Sequence, residues 1–322
     1  MRIIFLIIPF LFLTCTKATS QVTNDTINFD DNFSIYQDTI GFVNIKGTMT
    51  NALKYHDKFY VLFYNYSSRK MWLYIFSNGK IENIVDCPKI DTPIGLDFFV
   101  NNDSIIFNPH FIMEQENFFN IHSLTWEKRK RNETDGLVFE DEKFYVYNMG
   151  SAEWSTTWFI DKNTNRTYLV DAFAPLVNKI GSTYFLTNPF KIQKVDNPLK
   201  LKIDSPTNDV VIPKDRFDYD NWFKKPRFIS SFIWQNELLH IYETPTTTYI
   251  AKFENDSIIP VQVVGENMNF YPWNSYFRRN LKPNSDLLMF RVKNERSRVG
   301  FIEIIDNKIL MHYILNEEEF TY

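Results

Sequence analysis

The stretch that decides the fold reads KFYVLFY from Lys58 to Tyr64 and MWLYIF from Met71 to Phe76. The polar pair His56-Asp57 precedes the first run, and Asn78-Gly79 follows the second. Both runs are almost continuously apolar and rich in aromatic side chains, which favour β-strands. A strand with one solvated face would alternate, so these runs predict strands that are buried on both faces between stacked sheets.

The same order of turn, run, turn and run recurs six times along the chain. The turns before the second run of each unit lie 39 to 55 residues apart, at Asp57, Asp103, Glu142, Gly181, Asn236 and Asp286. A repeat of this length with four strands is typical of a propeller blade. We therefore predict an all-β fold, a six-bladed β-propeller of four-stranded antiparallel blades. A seven-bladed propeller and a pair of β-sandwiches are the alternatives.

The repeats divide the chain into a leader, a propeller and a tail. We assign residues 1–20 to a signal peptide, 21–44 to a segment that could supply a ring-closing strand, 45–316 to the propeller and 317–322 to a C-terminal tail. Residues 204–226 are predicted to form a loop insertion, because they are rich in Pro, Asn and Asp. In unit four, the fourth strand is predicted at Leu199 to Ile203.

The chain resembles six-bladed propellers of the TolB-like or NHL-like kind, which are common among exported proteins of the Bacteroides–Flavobacterium group. The resemblance covers Ile45 to Leu315 and is architectural. Neither the Trp-Asp dipeptide of one propeller class nor the double Gly of the kelch class occurs in the sequence. The resemblance implies a fold and export, and it assigns no activity.

The leader predicts export to the periplasm or outer membrane of a Gram-negative bacterium. Met1-Arg2 is a positive start, and the apolar run Ile3 to Leu13 is too short for a permanent membrane helix. Phe12 to Cys15 resembles a lipobox, which would make Cys15 the lipid-modified first residue of a lipoprotein. Alternatively, cleavage follows Ser20 and the mature chain is soluble.

Composition narrows the classes of partner. The chain has 35 Lys and Arg against 39 Asp and Glu, a net charge of -4, which argues against a nucleic-acid partner. It has 2 Cys, so that only Cys87 is left beyond the leader and no internal disulfide framework can form. We expect membrane contact only through a lipid anchor.

The sequence offers no catalytic signature. It lacks the Gly-x-Ser-x-Gly, His-Glu-x-x-His, Cys-x-x-Cys and phosphate-loop motifs, and its 5 His are scattered. Ser151 to Trp158 resembles one degenerate Asp-box of sialidase-type propellers, which is a structural turn. We therefore predict no catalytic residue, metal site or cofactor.

Four positions match an Asp-Ser/Thr-apolar pattern that resembles the O-glycosylation signal of the same bacterial group. They are Thr26, Thr39, Ser104 and Ser257. The alternative for each is a turn that precedes an apolar strand.

In a propeller, the loops between blades and those between second and third strands share one face, where function commonly resides. On that face we predict a binding surface of exposed Trp, carboxylate and Arg side chains: Arg69, Glu114, Glu116, Glu153, Trp154, Asp218, Asp220, Trp222, Trp273, Arg296 and Arg298. Such side chains suit recognition of a protein or a glycan. The first functional hypothesis is an exported, envelope-anchored, non-catalytic binding protein. The second is a propeller-type carbohydrate-active enzyme with two converging carboxylates.

Overall fold

The computed structural model describes residues 33–90, 96–101, 104–109, 115–130, 137–151, 154–172, 176–203, 225–254, 257–270, 287–293, 298–305 and 307–316. Within these residues the chain forms six β-sheets, which are arranged as the blades of a propeller. The predicted six-bladed all-β fold is confirmed. No helix in this part of the chain is long and apolar enough to cross a membrane.

The strands follow one another in chain order within each blade. The first strand, β1 (Ser34–Val43), precedes blade 1. Blade 1 contains β2 (Thr48–Tyr55), β3 (Lys58–Asn65), β4 (Lys70–Ser77) and β5 (Lys80–Asp86). Blade 2 contains β6 (Leu96–Asn101), β7 (Ser104–Pro109), β8 (Gln115–Asn120) and β9 (Thr125–Lys130). Blade 3 contains β10 (Leu137–Glu140), β11 (Phe144–Ser151), β12 (Trp154–Asp161) and β13 (Thr167–Val170).

The second half of the ring has three further sheets. Blade 4 contains β14 (Leu176–Ile180), β15 (Thr183–Asn188) and β16 (Lys191–Val195), and a short strand, β17 (Lys202–Ile203), follows it. Blade 5 contains β18 (Arg227–Trp234), β19 (Glu237–Glu243), β20 (Thr247–Glu254) and β21 (Ser257–Glu266). Blade 6 contains β22 (Met268–Phe270), β23 (Leu288–Val292), β24 (Arg298–Ile305) and β25 (Lys308–Asn316). Most of the insertion, residues 204–224, and the tail at 317–322 lie outside the described residues.

The predicted fourth strand of unit four departs from the expected position. Pro198–Lys200 forms a 3-10 turn, in which Asn197 Oδ1 accepts a hydrogen bond from the N–H of Leu199 at 3.0 Å. The strand β17 that follows pairs with β13, so that it extends the outer edge of blade 3. Proline is favoured in the first turn of a helix and cannot donate to a ladder, which explains the interruption of the expected strand.

Apolar side chains fill the gaps between blades and explain the unbroken run in β3. Leu62 and Tyr64 lie in the cluster shared with blade 2. Val61 and Phe63 lie in the cluster shared with blade 6. Consecutive residues of a strand point to opposite faces of its sheet, and here both faces are covered by a neighbouring blade. A strand that is covered on both faces, such as β3, therefore carries apolar residues at consecutive positions.

Strand β1 links three blades at the closure of the ring. It runs parallel to β25, with Tyr36 opposite Leu310. At its start, Phe33 N–H donates to Gln262 Oε1 of blade 5 at 3.0 Å, and Gln262 Nε2 donates back to Phe33 O at 2.7 Å. Near its end, a Cβ placed on Gly41 would lie 2.7 Å from the Phe76 ring of blade 1. The missing side chain thus lets β1 lie directly on blade 1.

The interface between blades 4 and 5 contains buried polar groups. Asn178 Nδ2 of β14 donates to Ser231 Oγ of β18 at 2.6 Å. His240 lies opposite Ser231, is 0% exposed, and has its ring 4.9 Å from that of Phe228. Neither ring nitrogen of His240 has a hydrogen-bond partner within the described part of the chain. Burial lowers the pKa of His240 from 6.5 to about 4, so the imidazole is neutral at neutral pH.

Candidate functional site

The two ends of the blades differ in their connections. At one end, here called the turn face, first strands reverse into second strands and third strands into fourth strands. Three of these reversals are the two-residue turns His56-Asp57, Asn78-Gly79 and Gln235-Asn236, each with two positive φ angles. Such turns match the twist of a hairpin and leave little chain to form a site. The opposite end, the loop face, carries the connections between second and third strands and between blades.

The structure describes only part of the predicted binding surface. The side chains of Arg69, Glu116 and Arg298 are described, and all three lie at strand ends on the loop face. Trp154 begins β12 on the same face, and nothing is described of its side chain. The other predicted residues lie outside the described part of the chain: Glu114, Glu153, Asp218, Asp220, Trp222, Trp273 and Arg296. Their convergence therefore stays a prediction.

The turn between β3 and β4 presents a cation and an aromatic ring together. Asn65 Oδ1 accepts hydrogen bonds from the N–H groups of Ser67 and Ser68 at 3.0 and 2.9 Å, which fixes the turn. Tyr66 is 62% exposed, and its ring meets that of the buried Tyr64 edge-on at 5.0 Å. Arg69 is exposed and takes a positive φ of 52°. This hydrogen-bonded turn therefore exposes an aromatic ring and a positive charge within four residues.

Glu116 is already engaged by its own blade. It is 4% exposed, and its Oε1 accepts a hydrogen bond from Arg129 Nε at 2.5 Å. The guanidinium of Arg129 lies 5.0 Å from the centre of the Phe118 ring. The pair joins β8 to β9 and holds the Glu116 carboxylate away from the solvent.

Two further side chains reach the loop face on other blades. The guanidinium of Arg298 lies over the Tyr313 ring at 4.1 Å, so its charge is held in a fixed place at the start of β24. Phe190, in the turn between β15 and β16, is 43% exposed. That turn is anchored to blade 5, because Pro189 O accepts a hydrogen bond from Phe228 N–H at 2.7 Å. Exposed aromatic rings therefore stand on blades 1 and 4.

A buried ion pair supports the loop face between blades 5 and 6. Arg227 is 1% exposed, and its Nε and Nη2 donate to Glu243 Oε2 at 2.8 and 2.6 Å. Arg227 Nη2 also donates to the carbonyl of Phe270 at 3.2 Å, and Glu243 accepts from the N–H of Phe270. Burial raises the pKa of Glu243, while Arg227 and Lys293 oppose that shift. The pair clamps the innermost strand of blade 6 and is almost completely buried.

Sequence reasoning missed Tyr66, Phe190 and the Arg227–Glu243 pair. The signal for Tyr66 and Phe190 was an aromatic residue inside a polar turn, at Asn65-Tyr66-Ser67 and Asn188-Pro189-Phe190. For the ion pair, the signal was a charged residue at the end of an apolar run, where one would ordinarily expect a solvated strand end.

Other side chains with chemical potential do not assemble into a site. Within the described residues, no group of three or more His, Cys, Asp or Glu side chains could hold a metal ion. Cys87 is a free thiol whose pKa is raised well above its ordinary value by burial, with Asp86 adding to the shift. A thiol of this kind is a poor nucleophile, since the thiolate is the reactive form.

The predicted modification positions differ in accessibility. Ser257 is exposed at the first residue of β21, while Thr39 and Ser104 are half-buried within β1 and at the start of β7. Cys15 and Thr26 lie outside the described residues. Ser257 is therefore the most accessible of the three described hydroxyls.

Comparisons with known proteins give only distant likenesses. No family model matches the chain, and no curated protein matches it. A chain from a structural study of two prolyl endopeptidases is 10% identical with a TM-score of 0.38, over 84% of this chain and 50% of that chain. A provisionally named exported protein from Bacteroides fragilis NCTC 9343 is 13% identical with a TM-score of 0.33, over 88% of this chain and 86% of that chain. The chain thus spans half the length of the endopeptidase chain, and likenesses this distant carry no functional argument.

Proposed function

We propose that this chain is an exported propeller, anchored at the cell envelope, which binds a protein or a glycan on its loop face without catalysing a reaction. The observation that carries the proposal is the hydrogen-bonded turn of blade 1, which exposes both Tyr66, at 62%, and Arg69 three residues later. A rigid aromatic side chain beside a cation gives contact area and hydrogen bonds at a low entropic cost. Phe190 and Arg298 extend the same chemistry around the ring.

Loss of the blade 1 turn should abolish ligand binding. The protein without residues 1–20 is screened against glycans by thermal shift and against envelope proteins by pull-down. A bound ligand at roughly 100 Kd stabilises the folded form by about 2.7 kcal/mol, which raises Tm. We expect Tyr66→Ala and Arg69→Ala to remove the response to a ligand that the wild-type protein binds. Trp154→Ala tests the predicted surface at the start of β12, and Trp273→Ala tests whether that surface includes the connection between β22 and β23.

Arg166→Ala is the matched control, because Arg166 is an exposed arginine in a turn on the turn face. It should respond to the ligand like the wild-type protein. A ligand that is bound equally well by Tyr66→Ala and Arg69→Ala would place binding elsewhere and contradict the proposal. Turnover of a bound glycoside that is lost in Glu153→Gln or Asp218→Asn would favour the carbohydrate-active enzyme instead.

Anchoring has a separate test at Cys15. In a bacterial host fed a labelled fatty acid, the full chain should carry the label and sediment with membranes. Cys15→Ser should lose both properties, since the lipid is attached to the thiol. If the unsubstituted chain is unlabelled and starts at Gln21, cleavage after Ser20 is correct and the protein is exported without an anchor.

A further inference from the structure

Four ionisable groups meet where β1 closes the ring. His312 of β25 has its Nδ1 2.7 Å from Asp38 Oδ1 of β1, and its Nε2 3.4 Å from Glu303 Oε2 of β24. Lys54 of β2 donates from Nζ to Glu303 Oε1 and Oε2 at 2.9 and 3.0 Å. The chain segments involved come from blade 6, from blade 1 and from β1, which joins them.

His312 and Glu303 are the buried members of the group, whereas the side chains of Asp38 and Lys54 are 47% and 24% exposed. The His312 ring lies 4.7 Å from the Phe59 ring and 5.4 Å from the Phe301 ring, centre to centre. The side chains of His312 and Glu303 are 8% and 6% exposed. Charges in such a place must be balanced, because water compensates little for an unpaired ion there. With an imidazolium at His312, two positive charges face two negative charges.

We propose that His312 is a proton-controlled latch, which holds β1 across the ring closure while it is charged and releases it when it loses its proton. A charged imidazole is held by the Nδ1 hydrogen bond to Asp38 and by the ion pair of Nε2 with Glu303, which lacks hydrogen-bond geometry at 3.4 Å. A neutral imidazole keeps at most one N–H donation, to Asp38, and loses the attraction of its charge to both carboxylates. Loss of the proton also leaves the buried Glu303 with Lys54 alone and removes the charge that attracts Asp38. The contact that weakens is the one between β25 and β1, which is the edge strand of this sheet and pairs with β25 alone.

The directions of the pKa shifts agree with this geometry. Burial by itself lowers the pKa of His312, but the hydrogen bonds and charges of Asp38 and Glu303 outweigh burial and raise it above 6.5. Burial by itself raises the pKa of Glu303, but His312 and Lys54 outweigh burial and lower the pKa below 4.5. Because the pKa of His312 is raised in the closed form, protonated His312 stabilises that form fully at pH values below 6.5. This contribution is lost as the pH rises through the pKa of the folded protein. Because the pKa of Glu303 is lowered, its contribution to the closed form is lost only in acid, at pH values below 4.5. The latch is therefore closed between that acid range and the raised pKa of His312.

Hydrogen exchange of the β1 amides tests the latch directly. After correction for the chemical exchange rate, the opening equilibrium of residues 34–43 should increase by up to about tenfold per pH unit between the open and closed pKa values of His312. The amides of β11 and β12 in blade 3 report global unfolding, and they should stay far more protected than the β1 amides throughout this pH range, which shows that β1 opens locally. His312→Phe keeps the ring stacking and removes the charge, so opening should be large and independent of pH over that range. His122→Phe, at an exposed histidine in the turn between β8 and β9, is the control.

A second variant covers the case in which His312→Phe does not fold. Asp38→Asn keeps the shape of the side chain, and it should lower the pKa of His312, as measured by NMR, and shift the onset of β1 opening to lower pH. The proposal is overturned if β1 exchange does not change with pH in the wild-type protein. It is equally overturned if His312→Phe or Asp38→Asn retains the wild-type pH profile.

Discussion

Replacement of Arg227 by alanine should lower the free energy of unfolding by about 3–5 kcal/mol, among the largest effects of any single substitution in the described ring. Arg227 and Glu243 are 1% and 5% exposed, so the carboxylate left behind is almost completely buried. It must remain charged without a partner or take up a proton, and either change costs free energy. The carbonyl of Phe270 also loses a donor. Urea unfolding at neutral pH measures the loss.

Two variants show whether the loss comes from the stranded carboxylate. Arg227→Met combined with Glu243→Met removes both charges and should recover most of the lost stability, since an apolar pair of similar volume is often as stable as a buried ion pair. Lys58→Ala breaks an exposed pair, in which Lys58 and Glu82 are 39% and 37% exposed, and should cost less than about 1 kcal/mol. If Arg227→Ala were as mild as Lys58→Ala, the ion pair would not be a clamp between blades 5 and 6.

The blade pattern could be predicted from sequence because burial on two faces leaves a local trace. In β3, Val61 and Phe63 face blade 6, while Leu62 and Tyr64 face blade 2. A run without alternation follows directly from that geometry. The position of β17 could not be predicted in this way. A two-residue strand at the edge of blade 3 has the same sequence pattern as a two-residue strand that ends blade 4. Edge pairing of this kind is decided by which strand is near, and that is a property of the folded ring.

The surface could be predicted less well than the fold. Residue type and position in a loop are sufficient to predict that Arg69 and Arg298 lie at the loop face. The same reasoning cannot tell a free carboxylate from a paired one, and Glu116 is held by Arg129. In sequence, His240 and His312 stand in similar apolar runs, although within the described residues the first has no hydrogen-bond partner and the second lies between two carboxylates. Their difference is set by which strands face each other across blades far apart in sequence.

Stability should fall in mild acid because of His240. Its folded pKa of about 4 lies below the ordinary 6.5, so the unfolded chain takes up the proton first as the pH falls. The contribution of neutral His240 to stability is therefore fully present above pH 6.5. It is lost progressively as the pH falls to the folded pKa, by about 3 kcal/mol in total for this shift. The cause is burial, since the imidazolium would lie between blades 4 and 5 with no acceptor within the described residues. Urea unfolding measured through this pH range gives the slope.

His240→Leu should remove that slope without lowering stability at neutral pH by more than a small packing term, because it removes two buried nitrogen atoms that have no described partner. His122→Gln, at an exposed position, should keep the wild-type slope.

The pH range of the loss separates the contribution of His240 from those of the other groups with shifted pKa values. The pKa of Asp141 is lowered to about 2 by Lys179, Tyr184 and backbone N–H groups, which outweigh burial, so its contribution is lost only below the ordinary 3.8. The contribution of His312 has the opposite sign and is lost as the pH rises. An unchanged slope in His240→Leu would therefore show that this histidine is not the buried neutral group, and that the interface between blades 4 and 5 admits the proton.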